Sequence, residues 1–332
     1  MVSKIGSQKI NNSQQSIIQE IEVAASIIHR FVEPTPILES KTLNNLLSGR
    51  LLLKAENFQP TGSFKLRGAI NAISKLDQEQ LTRGVVAYSS GNHAIGVAFA
   101  AQCLGTKATL IIPKDIPKKK LERIKSFNTE IIFYDRELDN REEIGERLCQ
   151  GRDLSLIKPY DDMHTICGQG TCGLEAIKQI NTMIDSAIIC AGGGGLAAGM
   201  GSYLKDALPN INVYTAEPDG WDDHKISFAT KTRVACNNNK LGICDGVLTP
   251  IPGELTFAIN MQNEVSGLSV SEDLVLKAMQ IAFKEFNIKL EPSGAVALAC
   301  LLDNKEIFRG QNVLVTLSGG NVDEDKFADC FI

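Results

Sequence analysis

The fold can be predicted from the stretch Asn57-Phe-Gln-Pro-Thr-Gly-Ser-Phe-Lys-Leu-Arg-Gly-Ala69. The apolar run before it, at 51–53, is typical of a buried strand, and Pro60 and Gly62 indicate a turn. Ser63 occupies the position expected of a helix cap, ahead of an apolar periodicity at 66, 69, 70 and 73. Lys65 then lies in the first turn of a helix, where the helix dipole disfavours a cation. Two interpretations remain: an ordinary surface lysine, or a neutral amine available for chemistry.

Two helix patterns precede this stretch, and from residue 85 onward strand and helix patterns alternate. Strands are predicted at 85–88, 109–112, 131–134, 156–157, 187–190, 213–216 and 313–317. Helices are predicted at 19–31, 43–47, 93–104, 118–127, 141–149, 174–180, 197–204 and 272–286, and the glycines at 168–173 are interpreted as an approach to the sixth helix. This alternation indicates parallel sheets of the α/β class, in which ligands bind at the carboxyl ends of strands.

Composition excludes several classes of partner. The chain has 332 residues, of which 43% are hydrophobic and 22% charged, and its net charge is −5. An acidic chain of this kind argues against nucleic acid or an anionic membrane as the main partner. No apolar run is long enough to span a bilayer. The segment Met1–Gln15 is polar and lacks an apolar core, so we expect it to fray and not to act as a signal peptide. The basic run at 118–120 predicts a solvated helix start.

The nine cysteines include no Cys-x-x-Cys pair, so neither a zinc site nor a disulfide framework is expected. Free cysteines in apolar segments suggest a reducing compartment, and a cytoplasmic location is therefore expected.

Four consecutive glycines, Gly192 to Gly195, follow a predicted strand and open a predicted helix. Backbone N–H groups can crowd around a phosphate there, and the helix N-terminus adds positive potential. A flexible turn is the plain alternative. The pattern Gly193-x-Gly195-x-x-Ala198, with Glu217 at the end of the next strand, also fits a loose dinucleotide fingerprint. A nicotinamide-dependent oxidoreductase therefore remains an alternative.

Other polar groups follow strands in the same way. The loop at 89–92 offers hydroxyls, an amide and backbone N–H groups, which together suit a carboxylate, whereas His93 is more typical of helix-start packing than of a base. Ser318 is either a polar contact to a cofactor ring or a turn serine. The carboxylates of Glu217, Asp222 and Asp223 suit a hard cation or form a solvated acidic loop.

Taken together, four motifs resemble those of fold-type II pyridoxal-phosphate enzymes, and most of all the serine/threonine dehydratases and serine racemases. They are 63–69, 89–93, 192–195 and 318–321, and the resemblance runs from about residue 20 to residue 322. It implies a tryptophan synthase β-like α/β fold with two open parallel-sheet domains and the active site between them. Residues 1–80 and 161–332 would form the large domain and 81–160 a small mobile one. A homodimer is also implied.

The resemblance implies roles for individual residues. Lys65 would form the Schiff base with pyridoxal phosphate and act as base on one face. The phosphate would be held by Gly192, Gly193, Gly194, Gly195 and the Leu196 amide, and the ring contacted by Phe64, Asn92, Gly246 and Ser318. The substrate would meet Ser89, Ser90, Gly91, Asn92, His93 and Arg141. A divalent cation (Mg, Mn or Ca) would be bound by Glu217, Asp223 and the Trp221 carbonyl.

The implied activity is the dehydration and deamination of L-serine or L-threonine to a 2-oxo acid and ammonia. Many threonine dehydratases have alanine where this chain has Ser90, so serine racemisation through Lys65 and Ser90 is expected as well. The alternative within the family is a 3-hydroxyaspartate dehydratase, slightly disfavoured because no extra basic residue is evident for a second carboxylate. Pro60 and Phe133 replace a lysine and a tyrosine of the animal racemases' nucleotide site, so ATP activation of that type is not expected.

Overall fold

The computed structural model describes residues 16–89, 91–236 and 242–331. Met1–Gln15, predicted to fray, and Ser90, the predicted second-face acid, lie outside the described residues. Among the described residues, ten strands form two sheets. In chain order they are β1 (Ile37–Leu38), β2 (Arg50–Ala55), β3 (Val85–Tyr88), β4 (Ala108–Pro113), β5 (Thr129–Tyr134), β6 (Ser155–Leu156), β7 (Ser186–Cys190), β8 (Asn212–Pro218), β9 (Ser266–Val270) and β10 (Asn312–Leu317).

The first sheet has the order β1-β2-β10-β7-β8-β9 and the second β5-β4-β3-β6. All neighbouring strands are parallel except β1 and β2. The central strands are buried on both faces, which is why their sequences read as continuous apolar runs. The predicted α/β class with two parallel sheets is confirmed.

Fourteen α-helices are present among the described residues. They are α1 (16–28), α2 (Lys41–Leu47), α3 (Lys65–Ser74), α4 (Gln78–Arg83), α5 (Asn92–Leu104), α6 (Lys118–Lys125), α7 (Arg141–Arg152), α8 (Met163–Gln179), α9 (Gly195–Ala207), α10 (Asp223–Thr230), α11 (Glu254–Gln262), α12 (Glu272–Phe286), α13 (Pro292–Asp303) and α14 (Glu324–Ala328). The helix predicted at 272–286 matches α12 at both ends, because its apolar period is regular and acidic residues occupy its first turn.

The glycines at 168–173 lie inside α8 rather than before a helix, so that prediction is wrong. They allow two other helices to approach the backbone of α8. A Cβ on Gly168 would come within 2.6 Å of the carbonyl oxygen of Arg67 in α3. A Cβ on Gly173 would come within 3.0 Å of the carbonyl oxygen of Met200 in α9. Glycine has a low helix propensity, and the close packing of α8 against α3 and α9 offsets the cost of placing it inside this helix.

Ser63 does not cap α3, contrary to prediction. The N-cap position belongs to Phe64, whose backbone is already helical and whose side chain makes no capping bond. Ser63 instead forms an isolated antiparallel bridge with Gly319, and its buried hydroxyl has no partner among the described residues. This long-range backbone pairing, which the local sequence does not reveal, fixes the turn ahead of Lys65.

The helix start at 118–120 is not fully solvated, contrary to prediction. Lys120 is 2% exposed, and its Nζ lies 2.7 Å from the Asp245 carboxylate and 3.0 Å from that of Glu291. One turn further on, Arg123 donates to the Asn321 side-chain oxygen at 2.6 Å. Both partners of Lys120 are far away in the sequence, so α6 is attached to the first-sheet side of the molecule by polar contacts.

Helix α3 lies at the junction of the two sheets. Leu66 and Ile70 of this helix belong to the same apolar cluster as Val85, Ala94 and Ile112 around the second sheet. Its opposite face packs on α8 beside the first sheet. The division at residues 81–160 stays a prediction, because the helix that carries Lys65 shares a core with that segment.

A buried network of charges anchors α3. Arg67 pairs with Glu56 at 2.7 Å and with Glu175 at 2.6 Å, and Lys54 pairs with Glu175 at 2.7 Å. All four side chains are at most 2% exposed. Burial raises the pKa of Glu175, but the charges of Arg67 and Lys54 outweigh it and lower that pKa to about 2. The positive charges of two buried cations are therefore balanced by the negative charges of two buried carboxylates, at the place where α3, α8 and the end of β2 meet.

The nine cysteines all lie within the described residues, and no disulfide joins any two of them. In the described part of the chain, no helix combines the length and apolar character needed to cross a bilayer.

We expect Glu175→Gln to lower the free energy of unfolding by about 3–5 kcal/mol, because it leaves two buried cations with one carboxylate. Urea denaturation near neutral pH measures this. The pKa of Glu175 is lower in the folded state than its ordinary value of 4.5, so its contribution is full above that value and is lost as the pH falls towards 2. The variant should lack the part of this dependence that comes from Glu175 and keep the part that comes from Glu56, whose pKa Arg67 and Lys54 also lower.

The matched control is Arg309→Gln. It breaks an exposed ion pair, Arg309 to Glu306 at 3.4 Å, and should cost less than about 1 kcal/mol. Equal losses for the two variants would show that the buried network does not stabilise the fold.

Candidate active site

A cavity lies between the two sheets, at the carboxyl ends of their strands. It is lined by most of the residues that the sequence singles out: Phe64, Lys65, Ser89, Asn92, His93, Arg141, Gly192, Gly193, Gly194, Gly195, Leu196, Gly246 and Ser318. Gly91 is not among the lining residues and packs instead against the side chain of Lys120. Four motifs that are distant in the sequence thus converge on one space.

Lys65 is the first residue of α3 and is half-buried, so the interpretation as an ordinary surface lysine is wrong. Its Nζ donates to the carbonyl of Pro159 at 2.9 Å and lies 5.1 Å from the centre of the Phe64 ring. No carboxylate among the described residues pairs with it. Burial lowers the pKa of Lys65 to about 8. A neutral amine is therefore accessible near physiological pH, as a nucleophile or base requires.

The glycine loop follows β7 and opens α9. Gly194 has φ +87°, and a Cβ added to it would lie 2.5 Å from Cε1 of His224. A Cβ on Gly193 would lie 2.2 Å from Cγ of Tyr160. Side chains cannot be placed on this loop, and the first turn of α9 leaves backbone N–H groups without intrahelical partners. The loop therefore fits a phosphate group.

The polar side chains of Asn92 and Ser318 also line the cavity. The Asn92 amide is oriented at both ends, because its nitrogen donates to Glu291 and its oxygen accepts from Asn321 at 2.9 Å. Ser318 donates to the carbonyl of Ser293 at 3.3 Å. These groups fit a polar heteroaromatic ring, which needs donors and acceptors at fixed positions.

His93 directly follows the loop at 89–92, and its side chain is buried. Its Nε2 is 2.8 Å from the carbonyl oxygen of Ile157. Burial, with a smaller effect from the charge of Lys65, lowers the pKa of His93 to about 3. The ring is therefore neutral and packs at the start of a helix, as its position in the sequence suggested.

Arg141 brings a cation to the second-sheet side of the cavity. It is the first residue of α7, and its guanidinium lies 5.6 Å from the centre of the Tyr88 ring and 2.9 Å from the Glu142 carboxylate. No basic residue for a second carboxylate is obvious from the sequence pattern, but the fold places this one at the cavity. Arginine can bind a carboxylate through two parallel hydrogen bonds.

An acidic cluster lies behind the glycine loop. Glu217 in β8, Asp223 at the start of α10 and His224 are all buried, and one potential ligand atom from each lies within 4.8 Å of the others. Burial raises the pKa of Glu217 and that of Asp223, the latter to about 8. Both oxygens of Asp223 lack a hydrogen-bond partner within the described ranges. The donor set therefore fits a divalent cation.

Trp221 lies in the turn between β8 and α10, where its N–H donates to the carbonyl of Pro218 at 3.0 Å. Its carbonyl as a cation ligand stays a prediction. Glu217 is fully buried, and its two oxygens accept from the backbone N–H groups of His224 and Lys225 at 2.8 and 2.9 Å. It is therefore not available to a ribose, as a dinucleotide site would require.

Several residues of the site escaped the sequence analysis. Tyr160, whose ring covers Gly193, follows the short strand β6 and could have been found by inspecting that strand end. Asp245 lines the cavity from a loop without a recognisable pattern, and Ser293 lines it from the first turn of α13. Only one feature of the sequence could have indicated His224, namely its position directly after Asp223.

Comparison with known proteins identifies relatives along nearly the whole chain. The family model for "Pyridoxal-phosphate dependent enzyme" matches residues 28–319. The L-threo-3-hydroxyaspartate ammonia-lyase of Saccharomyces cerevisiae is 37% identical over 92% of this chain and 93% of its own. Maize serine racemase superposes with a TM-score of 0.89 at 34% identity, covering 95% of this chain and 96% of its own. The serine racemase of Dictyostelium discoideum superposes with a TM-score of 0.84 at 37% identity, covering 92% of this chain and 98% of its own.

We expect Gly194→Ala to weaken the binding of pyridoxal phosphate by about tenfold or more. A non-glycine residue in this conformation costs about 1–3 kcal/mol, and the added Cβ collides with His224. Titration of cofactor-free protein, followed by absorbance, measures the affinity. The control is Gly201→Ala in the same helix, where the nearest atom is 3.6 Å away and affinity should not change. Wild-type affinity in Gly194→Ala would rule out the loop as the phosphate site.

Proposed function

Since the chain belongs to the family of pyridoxal-phosphate dependent enzymes, we propose that it dehydrates and deaminates L-serine or L-threonine and also racemises serine. The products would be a 2-oxo acid and ammonia. The observation that carries the proposal is the half-buried amine of Lys65, with a pKa of about 8, in the same cavity as the glycine loop. The family match favours this interpretation of the loop over the nicotinamide one.

The residues that would hold the cofactor have the chemistry it needs. The N–H groups of 192–196 suit its phosphate, Lys65 its aldehyde, and Phe64, Asn92, Gly246 and Ser318 its ring. When bound, pyridoxal phosphate withdraws electrons from the Cα of an amino acid and makes its proton removable. The hydroxyl of Ser318 is neutral, whereas a carboxylate at that place would hold the ring nitrogen protonated.

Proton transfer at Cα is assigned to Lys65 on one face. Its lowered pKa leaves a useful fraction of the amine neutral near pH 7, and the carbonyl of Pro159 orients it. On the opposite face the assignment rests on the sequence, which has Ser90 where many threonine dehydratases have alanine. Exchange of the proton between faces would racemise serine.

Substrate binding is assigned to the loop at 89–93. Ser89 accepts a hydrogen bond from the N–H of Gly91 at 3.0 Å, which holds the loop in a tight turn. Asn92 begins α5, so backbone N–H groups are available there for the substrate carboxylate. We assign residues 81–160 to a small mobile domain whose closure would exclude water from the cavity.

A second candidate function is the dehydration of 3-hydroxyaspartate. It is favoured by the place of Arg141, a cation lining the cavity and able to receive a second carboxylate. The yeast relative carries the name of this activity. Substrate choice then depends on whether the β-carbon carries hydrogen, methyl or carboxylate.

The proposal has three further parts. A divalent cation (Mg, Mn or Ca) would occupy the cluster of Glu217 and Asp223, two buried carboxylates that repel without one. A homodimer is proposed from the family resemblance. A cytoplasmic location is proposed because the cysteines form no disulfide.

Protein supplied with pyridoxal phosphate should acquire a yellow absorption band that borohydride abolishes, and Lys65→Ala should not form it. The pH dependence of its formation should have a midpoint near 8, since only the neutral amine of Lys65 reacts. Ser90→Ala is the matched variant. It should keep the band and the dehydration of L-serine but lose the exchange between L- and D-serine. A wild-type protein without the band would refute the proposed function.

Arg141→Gln should separate the two candidate substrates. If Arg141 receives a second carboxylate, kcat/KM for L-threo-3-hydroxyaspartate should fall by about 10- to 100-fold, the worth of a charge-assisted hydrogen bond. Activity on serine, which lacks that carboxylate, should change much less. Arg136→Gln is the control, because Arg136 lies outside this cavity and pairs with Asp115. If kcat/KM fell equally for both substrates, Arg141 would contact a group that serine and 3-hydroxyaspartate have in common, and not the second carboxylate.

A further inference from the structure

The acidic cluster contains buried polar atoms without partners. Both carboxylate oxygens of Asp223 and Nδ1 of His224 accept no hydrogen bond from any described residue. Asp223 is 1% exposed and His224 is fully buried. Buried polar atoms are nearly always paired, and leaving three of them unpaired in one cluster would be costly. Their proximity to Glu217 indicates a ligand that accepts electron pairs from all three residues.

The orientation of the His224 ring is fixed by the glycine loop. Its Nε2 lies 2.8 Å from the carbonyl oxygen of Gly192. A carbonyl can only accept, so Nε2 carries the proton and, in a neutral ring, Nδ1 carries a free lone pair. A histidine that binds a metal usually has this arrangement, with its other ring nitrogen donating to a backbone carbonyl or a carboxylate.

We propose that His224 is a nitrogen ligand of the cation held by Glu217 and Asp223, and that the site therefore binds first-row transition cations such as Mn²⁺ more tightly than Mg²⁺ or Ca²⁺. This rests on the proposed function, in which a divalent cation occupies the cluster. Two carboxylates alone suit hard cations, whereas an added imidazole shifts the preference towards transition metals.

The same ring connects the cation to the glycine loop. Its Nε2 donates to Gly192, and its Cε1 occupies the space where a side chain on Gly194 would lie. A cation on Nδ1 would fix the ring and, through it, the carbonyl of Gly192. Cation and cofactor would then bind cooperatively, each raising the affinity for the other by the same factor.

Pulsed EPR of Mn²⁺ bound to the cofactor-loaded protein tests the proposal without reference to activity. A directly bound imidazole should produce nitrogen modulation of the Mn²⁺ signal, and heavy-nitrogen-labelled histidine should change its frequencies. His224→Ala should lose the modulation. Its affinity for Mn²⁺ should fall by about tenfold or more while its affinity for Mg²⁺ changes little. The control is His164→Ala, which replaces an exposed histidine and should match the wild type.

Bound Mn²⁺ without nitrogen modulation in the wild type, or modulation that persists in His224→Ala, would overturn the proposal. The labelled wild-type protein gives this answer even if the variant does not fold. Failure of Mn²⁺ to bind would overturn it as well. If the yellow band still formed in such a protein, only the cation assignment would fall, and the proposed pyridoxal-phosphate chemistry would stand.

Discussion

The position of Lys65 depends on the buried pairing of Arg67 with Glu56 and Glu175. Arg67 lies two residues after Lys65, and its guanidinium reaches partners at the end of β2 and in α8. The helix is thereby fixed in rotation and along its axis, which sets where the amine projects. Such a network stabilises the fold only when it is complete, because removing one member leaves a buried charge unbalanced. The cavity is therefore built on charged side chains that do not line it.

Much of the fold could be predicted because parallel strands buried on both faces have continuous apolar sequences. The strand 85–88 and the helix 272–286 match the structure at both ends. The edge strand Ser266–Val270 was missed, since its half-exposed Ser-Gly-Leu-Ser-Val sequence has no apolar run. The glycines of α8 were misread for a different reason. Glycine usually breaks helices, and only the neighbouring backbones explain why these lie inside one.

The sequence predicted those residues of the site that follow the ends of strands. Lys65, the glycine loop, Asn92 and Ser318 all follow strands, and the fold brings them to one cavity. Pairings between distant segments were not predictable. The contact of Lys120 with Asp245 spans 125 residues, and three consecutive lysines are usually solvated. The roles of the individual residues are still predictions, and that of Ser90 rests on sequence alone.

Helices α6 and α3 are attached to the rest of the protein by different kinds of contact. At α6 the attachments are polar: the ion pairs of Lys120, the contact of Arg123 with Asn321, and N–H groups of the helix start on Asp323. At α3 they are apolar, through Leu66 and its neighbours. Separation at α6 would expose charged and amide groups, which lower the heat capacity, whereas separation at α3 would expose apolar surface, which raises it. Any separation at α6 would therefore depend less on the hydrophobic effect, and so change less with temperature through that effect, than a separation at α3.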